Sequence, residues 1–129
     1  MNAVIDTNIL VSALWKPSGN AYIIVSNVIS GRIRPCYDSR IMDEYRDVLM
    51  RPKFKFSSLQ VDALLDVFVF NGIYVVPAPL PLADVRDEDD LAFYEVAKYC
   101  EVPLVSGNLK HFPADPILMS PADFCRLYI

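Results

Sequence analysis

Histidine is nearly missing from this sequence: His111 is the only one in 129 residues. Cysteine is sparse too, with Cys36, Cys100 and Cys125 widely spaced and no CxxC pair. Together these absences exclude a Cys/His zinc site and a disulfide framework. An odd number of separated cysteines instead reads as small buried thiols in a reducing compartment. Excess positive charge is absent as well. The formal net charge is −4 and the sequence pI is about 4.8, which argues against nucleic-acid binding driven by bulk charge. It leaves open a nucleic-acid substrate handled through cations, because acids that capture divalent ions invert the local field.

Long uninterrupted apolar runs are also lacking. The most apolar stretch, residues 61–83, carries Asp62, Asp66, Asn71, Gly72 and several prolines, so no membrane span is expected. Asp6 interrupts what would be the apolar part of a leader, so no signal peptide is expected and the chain reads as cytoplasmic. No internal repeat or low-complexity segment occurs. What is present is a 53% apolar composition, with a positive mean hydropathy. That suits a well-packed globule, a single domain over residues 1–129.

The punctuation alternates between strand and helix signals. Residues 2–5 predict a first strand, closed by Asp6 and followed by a second apolar run, Ile9-Leu10-Val11. Ala21, Ile24, Val25, Val28 and Ile29 fall at helical spacing, and Gly31 ends that helix. Residues 34–37 predict a short strand. Asp38 or Ser39 caps a helix over about residues 40–50, ended before Pro52. Ser57 or Ser58 caps a third helix that stops at Gly72, and residues 73–76 predict a strand.

A helix follows from about residue 89 to 99, then strands at 103–105 and 117–119. Ser120 caps a final turn, with Pro121 in its first position. Helices between short strands predict a three-layer α/β/α sandwich with a central, mostly parallel sheet. Tyr22, Tyr45, Phe68, Phe70, Phe93 and Tyr94 fall at helical spacing and read as core.

Acids recur at strand ends and helix starts: Asp6, Asp43-Glu44 and the run Asp87-Glu88-Asp89-Asp90, with Asn108 after the strand at 103–105. Sites in open α/β sheets lie at the carboxyl ends of strands. Magnesium and manganese take oxygen ligands, often one or two carboxylates with water and phosphate. Each acid alone also fits a turn, a cap or an offset to the helix dipole. The order of all four along one small chain is the informative feature.

These strings resemble the PIN-domain ribonucleases. Val4-Ile5-Asp6-Thr7-Asn8-Ile9-Leu10-Val11-Ser12 resembles the family's opening. Ile41-Met42-Asp43-Glu44-Tyr45 with Arg51-Pro52-Lys53-Phe54 resembles its second acidic motif. Asp87-Glu88-Asp89-Asp90 running into Ala97 resembles the third, and Leu104-Val105-Ser106-Gly107-Asn108 with Lys110-His111-Phe112-Pro113 the fourth. The likeness is closest to the toxin components of toxin–antitoxin pairs.

The resemblance implies a flavodoxin-like, PIN-like fold and a Mg2+- or Mn2+-dependent endoribonuclease acting on single-stranded RNA. It also implies an antitoxin protein as partner and a homodimer. By position it implies Asp6, Glu44 and Asp90 as catalytic metal ligands, with Asp87 assisting. Asn8 and Ser106 match positions that line the pocket. Asn108 departs from the pattern, since many relatives carry Asp there, and an amide adds no negative charge. The alternative implied by that departure is a catalytically weak or inactive PIN-like binding module acting through a partner. Lys53, Lys55, Arg46 and Arg51 form a basic cluster suited to steering a strand, and Lys110 and His111 are candidates for phosphate contact.

Overall fold

The computed structural model describes residues 1–80 and 88–129, with the backbone alone at 88 and 89. The described elements, in chain order, are β1 (Asn2–Ile5), α1 (Thr7–Trp15), α2 (Asn20–Ile29), β2 (Arg34–Tyr37), α3 (Ser39–Leu49), α4 (Ser58–Asn71), β3 (Ile73–Tyr74), α5 (Glu88–Cys100), β4 (Leu104–Val105), β5 (Leu118–Met119) and α6 (Pro121–Tyr128). Short 3-10 turns occupy Pro52–Phe54 and Leu109–His111.

The five strands form one parallel sheet in the order β3-β2-β1-β4-β5. β1 is central, and its run Ala3-Val4-Ile5 is fully buried, as expected for a parallel strand covered on both faces. The register sets Val4 beside Leu104 and Ile5 beside Val105. The chain winds outward from β1 through β2 to β3, then crosses back to β4 on the other side of β1. α5, in the connection that crosses back, packs on β1, β2 and β4 and against α3. The strand order reverses between β1 and β4, so the carboxyl ends of these two strands flank the switch point where such sheets place their sites.

Local chemistry explains most boundaries. The side chains of Asp38, Ser57 and Ser120 accept from backbone N–H groups in the first turns of α3, α4 and α6. Asn71 ends α4, and its amide reaches back to the Val28 carbonyl at 2.8 Å. One expectation needs correction. The run after Asp6 is not merely a second apolar stretch but α1, which starts at Thr7 with Asp6 as its N-cap. A short apolar run carries no periodicity that separates strand from helix. The final turn is likewise longer, two turns from Pro121 to Tyr128.

The aromatic expectation divides. Tyr45, Phe68, Phe93 and Tyr94 are core, but Tyr22 is 42% and Phe70 89% exposed. α4 is apolar nearly all round, so spacing alone does not say which side faces the sheet. Cys36 is buried, which pushes its thiol up to about 12; all three cysteines are free.

Asp115 ties α5 to the connection between β4 and β5. It accepts from Tyr94 Oη at 2.6 Å, from Lys98 Nζ at 3.0 Å and from the Ile117 N–H at 3.0 Å. The Ile117 N–H first, then the Tyr94 hydroxyl, hold its carboxyl below the usual range. A depressed folded value gives stability that is present above the unfolded carboxyl pKa of about 3.9 and lost as pH falls through the folded one. Asp115→Asn is therefore expected to lower stability by about 1–2 kcal/mol at pH 7. Urea unfolding at pH 7 and pH 3 checks this: the difference should shrink at pH 3, and an unchanged difference would refute the ionic account.

Candidate functional site

Asp6 leaves β1 in an extended conformation and turns directly into α1. Its side chain is almost fully buried. Oδ1 accepts from the Thr7 N–H at 2.7 Å. Oδ2 accepts from Ser106 Oγ at 2.6 Å and from Asn8 Nδ2 at 3.3 Å. Asn8 Oδ1 in turn accepts from the Gly107 N–H at 3.1 Å, and Ser106 Oγ from the Asn108 N–H at 2.9 Å. These bonds join the start of α1 to the loop after β4, across the switch point. Asp6, Asn8 and Ser106 thus meet. Asn108 sits beside them through its backbone, with its side chain exposed.

Burial raises the carboxyl pKa of Asp6, opposed by Ser106, by the Thr7 N–H and by the charge of His111. Taking a carboxylate out of water is unfavourable unless positive charge or donors compensate. His111 also lies 3.6 Å from Asp90, Nδ1 to Oδ2. Asp90 stands in the first turn of α5, where the helix dipole favours an anion. The histidine of the Leu109–His111 turn thereby links the neighbourhoods of Asp6 and Asp90.

Glu44 is half-buried on α3 and lines a polar cleft of about 380 Å³ with Arg40, Asp43 and Asp47. Its neighbour Tyr45 anchors α3 to the first acid's strand: the buried hydroxyl donates to the Ile5 carbonyl at 2.5 Å. The Tyr45 ring also packs edge-on to Phe68 of α4, with centroids 5.6 Å apart, and against Phe93 of α5 at 6.0 Å. Among the described residues, no three His, Cys, Asp or Glu side chains form a group that could hold a metal ion. Asp87 lies outside the described residues.

A second acidic centre escapes sequence reasoning. Asp38 follows β2 as Asp6 follows β1, and it is equally buried. Arg40 joins it to Glu95 of α5, with NH2 to Asp38 Oδ2 and NH1 to Glu95 Oε1 both 2.7 Å. Glu95 Oε2 accepts from the Leu80 N–H. Asp38, Arg40, Tyr74, Pro77, Pro79 and Glu95 line a cleft of about 280 Å³. The available signal was Glu95 itself, a lone acid inside the apolar run Phe93 to Ala97. Two expected basic residues turn out to be engaged elsewhere: Arg46 pairs with Asp62 at 2.6 Å and Arg51 with Asp47 at 3.1 Å.

Oxygen donors dominate the Asp6 neighbourhood: a carboxylate, a hydroxyl and an amide. Hard divalent cations take such donors, and the buried carboxylate is one whose charge a cation would offset. In donor chemistry the residues fit magnesium or manganese. A family model described as PIN domain matches residues 2–110. Neither the comparison with curated proteins nor that with solved structures returned a match.

Proposed function

The chain belongs to the PIN-domain family, and from that premise we propose that it is a metal-dependent endoribonuclease cutting single-stranded RNA. The observation that carries this reading is the buried Asp6 carboxylate at the β1–β4 switch point, oriented by Ser106, Asn8 and the Thr7 N–H. A fixed, desolvated carboxylate there is poorly explained as a turn residue, because a helix cap does not require burial of its charge.

In this reading a magnesium or manganese ion would be held by Asp6, Glu44 and Asp90, which form no ready-made group without it among the described residues, with Asp87 assisting. Bound there, the ion would acidify a water and neutralise charge on the scissile phosphate. Ser106 and Asn8 keep Asp6 in one orientation, so that its oxygens need no rearrangement to bind. Tyr45 sets α3, and with it Glu44, against the end of β1. Asn108 contributes a neutral corner. That lowers the negative charge available to a second ion and makes one firmly held ion the proposed complement. His111 and Lys110 stand on the loop after β4 and suit phosphate contact.

The biological setting we propose is that of a toxin checked by an antitoxin, whose inserted segment would be basic to complement the acids. A homodimer is part of the same proposal. The test is cleavage of a single-stranded RNA by purified protein with manganese, compared with EDTA and with duplex RNA. Manganese-dependent cutting of the single strand is the expected result. No cutting, together with no heat of manganese binding by calorimetry, would assign the chain to the alternative, a PIN-like binding module acting through a partner.

A further inference from the structure

Trp15 is the one tryptophan of the chain, and it is 62% exposed at the end of α1. Two phenylalanines hold its indole edge-on: Phe54 with centroids 6.0 Å apart and Phe56 at 6.2 Å. Phe54 and Phe56 are themselves stacked at 5.6 Å with planes 10° apart. Between them Lys55 adopts a left-handed conformation with φ 58°. That conformation is uncommon for a residue with a side chain. Trp15 and Phe54 then wall an open cleft of about 510 Å³ with Val11, Ser12, Lys16 and Asn20.

Cations surround these rings. Lys53 Nζ stands 5.0 Å from the Phe54 ring centroid, Lys16 lines the cleft, and Lys55 lies between the two phenylalanines. Unlike Arg46 and Arg51, none of these three lysines pairs with a carboxylate among the described residues. On a chain of net charge −4, this is a local inversion of sign at an aromatic surface.

The position relative to Asp6 gives the cluster its meaning. Asn8, Val11, Ser12 and Trp15 stand at spacings of three, four and seven residues, so they share one face of α1. Asn8 is bonded to Asp6 and to the Gly107 N–H. The face that starts at the acids therefore ends at the indole, after a rise of about 10 Å. That length is about three base spacings of a stacked strand at roughly 3.4 Å each.

We propose that Trp15, supported by Phe54 and Phe56 and rimmed by Lys16, Lys53 and Lys55, is a stacking platform for a base of single-stranded nucleic acid. The strand lies along the α1 face, two to three nucleotides from the acids. This rests on the reading of the chain as a nuclease acting on single-stranded RNA. Every base presents a π-face to an aromatic ring, and cations beside the ring meet the phosphates, which is how sequence-tolerant single-strand sites are built. The platform explains two things a structural aromatic cluster does not: the exposure of the largest apolar side chain, and lysines without acidic partners. It also implies that a strand too short to span from the acids to Trp15 is held weakly.

The experiment uses the intrinsic fluorescence of Trp15, which reports on this surface alone. The full chain is titrated with a single-stranded ten-nucleotide oligouridylate in EDTA, so that binding is read without cleavage. Quenching of the indole is expected. By anisotropy of the labelled oligonucleotide, Trp15→Ala should bind about tenfold or more weakly, with Trp15→Phe retaining part of the affinity. Circular dichroism confirms that the variants fold. An absence of quenching, or affinity in Trp15→Ala within twofold of wild type, overturns the platform. So does a result in which Trp15→Ala leaves RNA affinity intact but breaks up an oligomer seen by light scattering, since the surface would then serve a second copy of the chain. Quenching and weakened binding in a protein that never cuts RNA would keep the platform and refute the nuclease reading. Cutting without any effect of Trp15 would do the reverse.

Discussion

Replacing Asp6 by asparagine is expected to lower cleavage of single-stranded RNA by on the order of a thousandfold, the loss of several kcal/mol of metal-assisted stabilisation, without lowering the melting temperature. The two halves of that result have one cause. Burial raises the pKa of this carboxyl, so the folded state disfavours its ionised form. For an acid with a raised folded value, stability falls as pH rises from the unfolded pKa of about 3.9 through the folded one. Asparagine has no charge to desolvate, and its single carbonyl can keep one of the two bonds, from the Thr7 N–H or from Ser106 Oγ, which go to different oxygens of Asp6.

The variant should therefore match wild type in stability at low pH and equal or exceed it at pH 7. Cleavage assays with manganese and melting curves at pH 4 and 7 read both effects. Full activity in Asp6→Asn would remove the residue from the site. Lost activity with a fall of many degrees at pH 7 would make Asp6 a structural cap instead. A group retained at a cost to stability is the pattern expected where function and folding compete.

The largest loss of stability is expected from Arg40→Ala. Arg40 lies between the Asp38 and Glu95 carboxylates, both under a tenth exposed. Removing it strands two buried anions. Breaking a buried ion pair costs about 3–5 kcal/mol, but the Arg40 side chain is itself 45% exposed. Water can then enter where the guanidinium was, so a loss of about 2–3 kcal/mol is expected instead.

Urea denaturation at neutral pH measures it. Adding Glu95→Gln to Arg40→Ala should recover part of the loss, because one stranded charge is gone; a double-mutant cycle isolates that coupling. Arg40→Lys should fall between, since a point charge cannot serve two carboxylates as the planar fork does. A loss under about 0.5 kcal/mol in Arg40→Ala would class the network with exposed surface pairs. Because Glu95 and Asp90 share α5, activity should fall along with stability.

Much of the fold is legible in the sequence because its signals are local. Asp38, Ser57 and Ser120 each cap the helix that follows them, as their residue types predict. Pro52 and Gly72 stand where helices end. α1 is the exception: Thr7 to Trp15 holds too few polar residues to display a period. Phe70 errs the other way, at core spacing yet 89% exposed, because α4 has apolar residues on nearly every side. In the site, Asp6, Asn8 and Ser106 come from motif resemblance and do meet in space. Glu44 lines a polar cleft with Arg40, Asp43 and Asp47. The pairing of Asp38, Arg40 and Glu95 is not legible until the strands are ordered.

By itself, the sequence determines the alternation of short strands and capped helices and the motif order that marks a PIN domain. Those depend on neighbours along the chain, a few residues apart. Only the tertiary structure decides that Ser106 reaches Asp6 across 100 residues, that Arg40 crosses to Glu95 over 55, and that Trp15 meets Phe54 and Phe56. The physical reason is the strand order β3-β2-β1-β4-β5. Bringing β4 back beside β1 creates the switch point, and no local preference encodes which strands become neighbours.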